Sequence, residues 1–177
     1  MEYLLAFISL IIINILPFGS LKEYDCKLPI AAALLLEQNM LIALKCYQAE
    51  YGYWSYKGLN NGDINDRQNR YYVRPGLIGD FTISLESSIN RGFFWRVRNG
   101  KLNLEAHDGS RLFKEEASFI PVPGLEDYHL LSLRSYKYPR KYVRHHRDRI
   151  IVSDTSNNNL FIKDATWNVY NFDSHLR

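Results

Sequence analysis

"SLESSINRGFFWRVRNGKLNLEAHDGSRLFKEEASF", residues 84–119, and "SLRSYKYPRKYVRHHRDRIIVSDTSNNNLFIKDATW", residues 132–167, register without a gap at an offset of 48. Leu85 meets Leu133, Phe94 meets Tyr142, Arg96 meets Arg144 and Leu102 meets Ile150. Further on, "LF" meets "LF", Ala117 meets Ala165 and Phe119 meets Trp167. Self-similarity of this length sets the architecture first, because each copy must be one structural unit that packs against its neighbours.

A third, weaker copy lies upstream. "IALKCYQAEYGYWSYK" (42–57) follows "LSLRSYKYPRKYVRHH" (131–146) at an offset of 89, and "YYVRPGL" (71–77) follows "FIPVPGL" (119–125) at 48. The offsets differ because this copy lacks about seven residues where the others carry "KLNLEAH" or "RIIVSDT". The copies therefore run at 41–80, 81–128 and 129–177.

Each full copy reads as four short strands. "FTISLES" alternates, placing Phe81, Ile83 and Leu85 on one face and Thr82, Ser84 and Glu86 on the other. "FFWRVR" follows a turn at Asn90-Arg91-Gly92, and "KLNLEA" follows Asn99-Gly100, a strong hairpin signal. After the polar loop "HDGS", matched by Asn157-Asn158-Asn159 in the last copy, comes "ASFIPV". Three such units predict an all-β chain, a β-trefoil with three internal repeats over 41–177. A β-propeller fragment is the alternative, but three blades close poorly. Composition agrees: 13 Tyr and 9 Phe in 177 residues favour strands, and 46% hydrophobic content argues against disorder.

The residues then resemble a known family. "SLRS" followed by "YVRHHRDRIIVSDTSNNNLFIKDATW", with "DGSRLFKEEASF" in the middle copy, is similar to the arabinose-binding β-trefoil domain of fungal α-L-arabinofuranosidase B. The likeness covers about 41–177 and is strongest in the last two repeats. It implies that a repeat grips one arabinofuranose (L-arabinose) side-chain sugar between the His of "RH" and the Asp of "DATF". Here those are His145 and Asp164, with Tyr142 and Arg144 as neighbours. A carboxylate that accepts from two hydroxyls, beside an imidazole, suits a neutral sugar. The middle copy has Val97 and Glu116 at these places and the first has Tyr56 and Gln68, so one intact pocket is expected. The competing readings are a partly buried core histidine and an aspartate that only bonds a backbone amide.

The resemblance also implies that hydrolysis belongs to a separate catalytic domain, for which 41–177 leaves no room. Asp80, Glu86, Glu105, Asp108, Glu115 and Glu116 form no distinctive pair of the kind a glycosidase needs. "HDGS" (107–110) lacks a strained nucleophile turn. A non-catalytic carbohydrate-binding module is expected, with no cofactor and no nucleic-acid partner. The alternative is a heparin-like polyanion-binding trefoil, a growth-factor-like or lectin-like interaction protein. It would use Lys137, Arg140, Lys141, Arg144, His146, Arg147 and Arg149 as a basic strip for acidic glycans. A metal site at His145-His146 is disfavoured because adjacent strand residues point to opposite faces.

Residues 1–20 stand apart. "LLAFISLIIINIL" (4–16) is too short to span a bilayer and suits a signal-peptide core, although Glu2 and no Lys or Arg precedes it. Secretion is expected, with an uncleaved signal anchor as the rival and 21–40 as a lead-in segment. No Asn-x-Ser/Thr acceptor lends secretion support. In an oxidising compartment Cys26 and Cys46 are expected to form one bridge.

Overall fold

The structure, a computed structural model, describes residues 36–48, 52–55, 58–60, 64–147 and 149–173. Its strands are β1 (Leu41–Cys46), β2 (Tyr53–Ser55), β3 (Gly58–Asn60) and β4 (Tyr71–Pro75), then β5 (Ile83–Ser87), β6 (Phe93–Arg98), β7 (Lys101–Ala106) and β8 (Phe119–Pro123). They continue as β9 (Leu131–Ser135), β10 (Lys141–His146), β11 (Arg149–Asp154) and β12 (Trp167–Asn171). A six-residue helix precedes β8 (α1, Arg111–Glu116) and another precedes β12 (α2, Asn159–Asp164); a 3-10 turn over Arg67–Asn69 precedes β4.

Six strands close into a barrel. β1 pairs with β4, β4 with β5, β5 with β8, β8 with β9, β9 with β12, and β12 returns to β1, all antiparallel. The remaining strands form the hairpins β2–β3, β6–β7 and β10–β11. Closure leaves the six barrel strands without an open edge. Asn99 (φ 51°) and Gly100 (φ 72°) link β6 to β7 across the Arg98–Lys101 pair, as a two-residue hairpin turn requires.

The core is layered by copy. Ile42, Ile83 and Leu131 are buried, as are Leu44, Leu85 and Leu133, then Trp54, Trp95 and Val143, then Tyr71, Phe119 and Trp167. The Trp54 ring lies 5.4 Å from Trp95 and 5.2 Å from Trp167, while Tyr71 and Trp95 pack edge-on at 5.7 Å. Burying side chains of this size contributes about 1.5–3 kcal/mol each.

One expectation from alternation needs correction. Phe81 is not on the inner face with Ile83 and Leu85: it is 94% exposed, lies ahead of β5 and has φ 60°. Thr82 Oγ1 bonds the carbonyls of Ile78 and Gly79 at 2.8 Å each, which folds 76–82 into a turn and delays the strand to Ile83. The opposite face, with Thr82, Ser84 and Glu86, is buried as well. Ser84 Oγ donates to Ala117 O and Ser132 Oγ to Ala165 O, both at 2.7 Å. Each serine thus ties the end of its copy's helix to the barrel, and the residue just before each bonded carbonyl is Glu116 or Asp164.

The helices were hidden in what reads as loop. Ser110 Oγ accepts from Phe113 N at 3.0 Å and Asn158 Oδ1 from Leu160 N at 2.8 Å, so each polar loop ends in a helix cap. Cys46 is buried at the end of β1. Cys26, the apolar run 4–16 and the lead-in through residue 35 lie outside the described residues. Among the described residues no helix is long and apolar enough to cross a membrane.

Candidate functional site

β10 and α2 bring the expected residues of the last copy together. Arg144 Nη1 donates to Asp164 Oδ2 at 3.2 Å and Arg144 Nε to Ser153 Oγ at 2.9 Å. The guanidinium lies 5.5 Å from the Phe161 ring, against which Tyr142 packs edge-on at 6.4 Å. Arg144 is thereby a holder of the carboxylate, clamped between Ser153, Asp164 and Phe161. Tyr142, Arg144, His145 and Asp164 lie together around β10 and the end of α2.

His145 meets the other carboxylate oxygen. Its Nδ1 lies 3.6 Å from Asp164 Oδ1, too far for a hydrogen bond, and this buried nitrogen has no hydrogen-bond partner. The side chains are 20% and 7% exposed. Burial holds the imidazole below its ordinary pKa although Asp164 pulls it up. Burial raises the Asp164 carboxyl although His145 and Arg144 pull it down. The pair is thus an imidazole held towards its neutral form beside a carboxyl group whose second oxygen faces it.

The middle copy builds the same scaffold and fills it. Arg96 Nε donates to Glu116 Oε2 at 2.8 Å and Nη1 to Glu105 Oε2 at 3.0 Å, with Asp108 at 3.7 Å and the Phe113 ring at 4.9 Å. Burial opposes the Arg96 charge, but these carboxylates outweigh it and push its pKa up. Lys137 Nζ adds a second cation 3.5 Å from Glu116 Oε1. Val97, at the place of His145, is buried in the core. In the first copy Gln68 sits in the 3-10 turn, and Tyr56 lies outside the described residues.

Three residues of the basic strip pair with acids. Lys137 reaches Glu115 and Glu116, Lys141 lies 3.3 Å from Asp154, and Arg144 holds Asp164. Among the described residues no three His, Cys, Asp or Glu side chains group as a metal site. Ser153 and Phe161 belong to the cluster but were not singled out from the sequence; their 48-residue counterparts Glu105 and Phe113 would have pointed to them.

Known proteins share the domain that carries these residues. "Arabinofuranosidase/B-xylosidase" of Trichoderma koningii is 36% identical over 100 residues, covering 56% of this chain and 19% of that protein. "Alpha-L-arabinofuranosidase B" of Emericella nidulans is 34% identical over 99 residues, covering 54% and 19%. The chain thus spans about a fifth of the length of these curated relatives. Among solved structures, an arabinofuranosidase complexed with arabinofuranosyl-alpha-1,2-xylobiose superposes with TM-score 0.66 at 23% identity, over 75% of this chain and 31% of that one. The BEL beta-trefoil matches with TM-score 0.56 at 12% identity, over 76% and 94%, and so speaks for the fold alone. The family model of the Alpha-L-arabinofuranosidase B (ABFB) domain matches residues 47–169. The chain belongs to the α-L-arabinofuranosidase B domain family.

Proposed function

We propose that residues 41–177 form a three-repeat β-trefoil that binds an arabinofuranose side chain of a polysaccharide in its last repeat and performs no catalysis. The observation that carries this reading is the His145–Asp164 gap. The buried Nδ1 of His145 has no hydrogen-bond partner and lies 3.6 Å from Oδ1 of the buried Asp164. A buried polar atom left unpaired is costly, and a sugar hydroxyl that bridged the two from the side, as their 3.6 Å separation requires, would relieve that cost. Relatives named as arabinofuranosidases make arabinofuranose the first sugar to test.

The buried carboxylates argue against hydrolysis. Glu86, Glu116 and Asp164 are each bound to an arginine, whereas a glycosidase keeps one carboxyl as proton donor and another as nucleophile or base. We further infer secretion through residues 1–20, with Cys26 bridged to Cys46. Intact-mass measurement of secreted protein before and after reduction would test both; a mass that retains 1–20 or shows no bridge would count against them.

Titration with an arabinofuranose-substituted xylooligosaccharide tests the binding itself. Binding that saturates and is unchanged by 0.5 M salt supports a neutral-sugar pocket. Binding that collapses in salt would favour a polyanion surface instead.

A further inference from the structure

The three copies meet through one repeated backbone bond. Ser88 N donates to Arg70 O at 3.1 Å, Tyr136 N to Ser118 O at 3.1 Å and Tyr47 N to Thr166 O at 3.0 Å. The strand register agrees, since Ser135 pairs with Phe119 as Cys46 pairs with Trp167. In each case the acceptor lies two residues beyond the carboxylate position of its copy: Gln68, Glu116 or Asp164. The residue after each donor takes the place in its copy that Lys137 holds beside Glu116. Those residues are Ile89, Lys137 and Gln48.

They differ in the way that matters. Lys137 Nζ lies 3.5 Å from Glu116 Oε1, so an ammonium caps a carboxylate that Arg96 already holds. Ile89, 44% exposed, is the counterpart at the first copy, whose equivalent of the carboxylate is the uncharged Gln68. Gln48 holds the same position relative to Asp164. It is exposed and uncharged, and its amide offers both a donor and an acceptor. The preceding aromatics differ too. Tyr136 packs so closely on Gly79 that a β-carbon there would lie 2.5 Å from its ring, whereas Tyr47 is 41% exposed.

We propose that the last-repeat site continues across this junction onto Tyr47 and Gln48, and that residue 48 decides whether the site admits a neutral sugar. Tyr47 supplies an apolar ring face to the carbon side of the sugar, and Gln48 bonds a hydroxyl. A lysine at 48 would close the last site as Lys137 closes the middle one. This rests on reading His145 and Asp164 as a sugar site, so the test needs one readout without sugar.

The experiment compares full-length Gln48→Lys, Tyr47→Ala and Lys137→Gln with the parent protein. The sugar readout is titration with the arabinofuranose-substituted xylooligosaccharide. Gln48→Lys and Tyr47→Ala should each weaken binding by about tenfold or more, and Lys137→Gln should leave it unchanged. The second readout is the imidazole NMR titration of His145, which Asp164, Arg144 and His146 already face. Gln48→Lys should move that midpoint down, and Lys137→Gln should not. Parent-like sugar binding by Gln48→Lys overturns the junction site and leaves the His145–Asp164 pocket standing. If the parent protein binds no arabinofuranose, the proposed function fails. The NMR shift then reads the placement alone: a shift sets residue 48 beside His145, and an unmoved midpoint rejects the junction.

Discussion

At the residue scale, the difference between the last and middle copies is one of satisfied charge. Glu116 is consumed by Arg96 and Lys137, whereas Asp164 gives one oxygen to Arg144 and leaves the other facing His145. His145→Ala and Asp164→Asn should each weaken arabinofuranose binding by about 1–3 kcal/mol in calorimetric titration. Glu116→Ala should leave binding intact yet lower stability by about 1–3 kcal/mol in denaturant unfolding, because Arg96, itself buried, loses its shortest partner. Acid should act through His145. Its pKa is held below the ordinary value of about 6.5, so the ring stays neutral at pH 7 and charges only as pH falls further. The imidazolium would then pair with Asp164 and close the gap. Titrations should show constant affinity from pH 8 to 7 and a loss towards pH 5; rising affinity in acid would reject the neutral-imidazole site. The sequence made this cluster legible only through the shared motif. Alternation sends Arg144 and His145 to opposite faces, and it cannot show that one carboxylate at the end of α2 meets both.

At the element scale, turns were easier to read than faces. Asn99-Gly100 announces its hairpin because both residues tolerate positive φ, and Gly100→Ala should cost about 1 kcal/mol or more in thermal melts. β5 was misread for a physical reason. Alternation marks a strand with one wet face, but all five β5 residues are buried, with Ser84 and Glu86 bonded internally. The helices α1 and α2 were invisible for a different reason: six residues are too few to display a helical period, and their caps look like loop. Glu86 offers a test of the buried face. Burial raises its pKa, but the Gly92 amide at 2.7 Å and Arg74 Nε at 2.6 Å more than offset that and hold it low. An acid held low stabilises the fold above the ordinary carboxylate range, and that stability is lost as pH falls through its native value. The melting temperature should therefore drop in acid below about pH 4.3, and less steeply in Glu86→Gln. Equal acid slopes in both proteins would remove Glu86 from this role.

At the scale of the whole molecule, the 48-residue register was the most informative feature, because the same spacing recurs in strands, caps and buried residues. It could not show how unequal the copies are at the centre, where the last copy has Val143 in the place that Trp54 and Trp95 fill in the other two. Trp54→Ala should cost about 3–5 kcal/mol, a large share of the 5–15 kcal/mol typical of a domain. Urea unfolding with a parent-like midpoint would contradict that packing. The central claim, one working sugar site in a chain built from three related units, is tested most directly by NMR. An arabinofuranose-substituted xylooligosaccharide is titrated into the full-length protein while the side-chain and amide signals of each copy are followed. One saturable site centred on His145 and Asp164, with Arg96 and Glu116 undisturbed, is the predicted result. Saturation centred on Arg96 and Glu116, or no saturation at millimolar sugar, would contradict it.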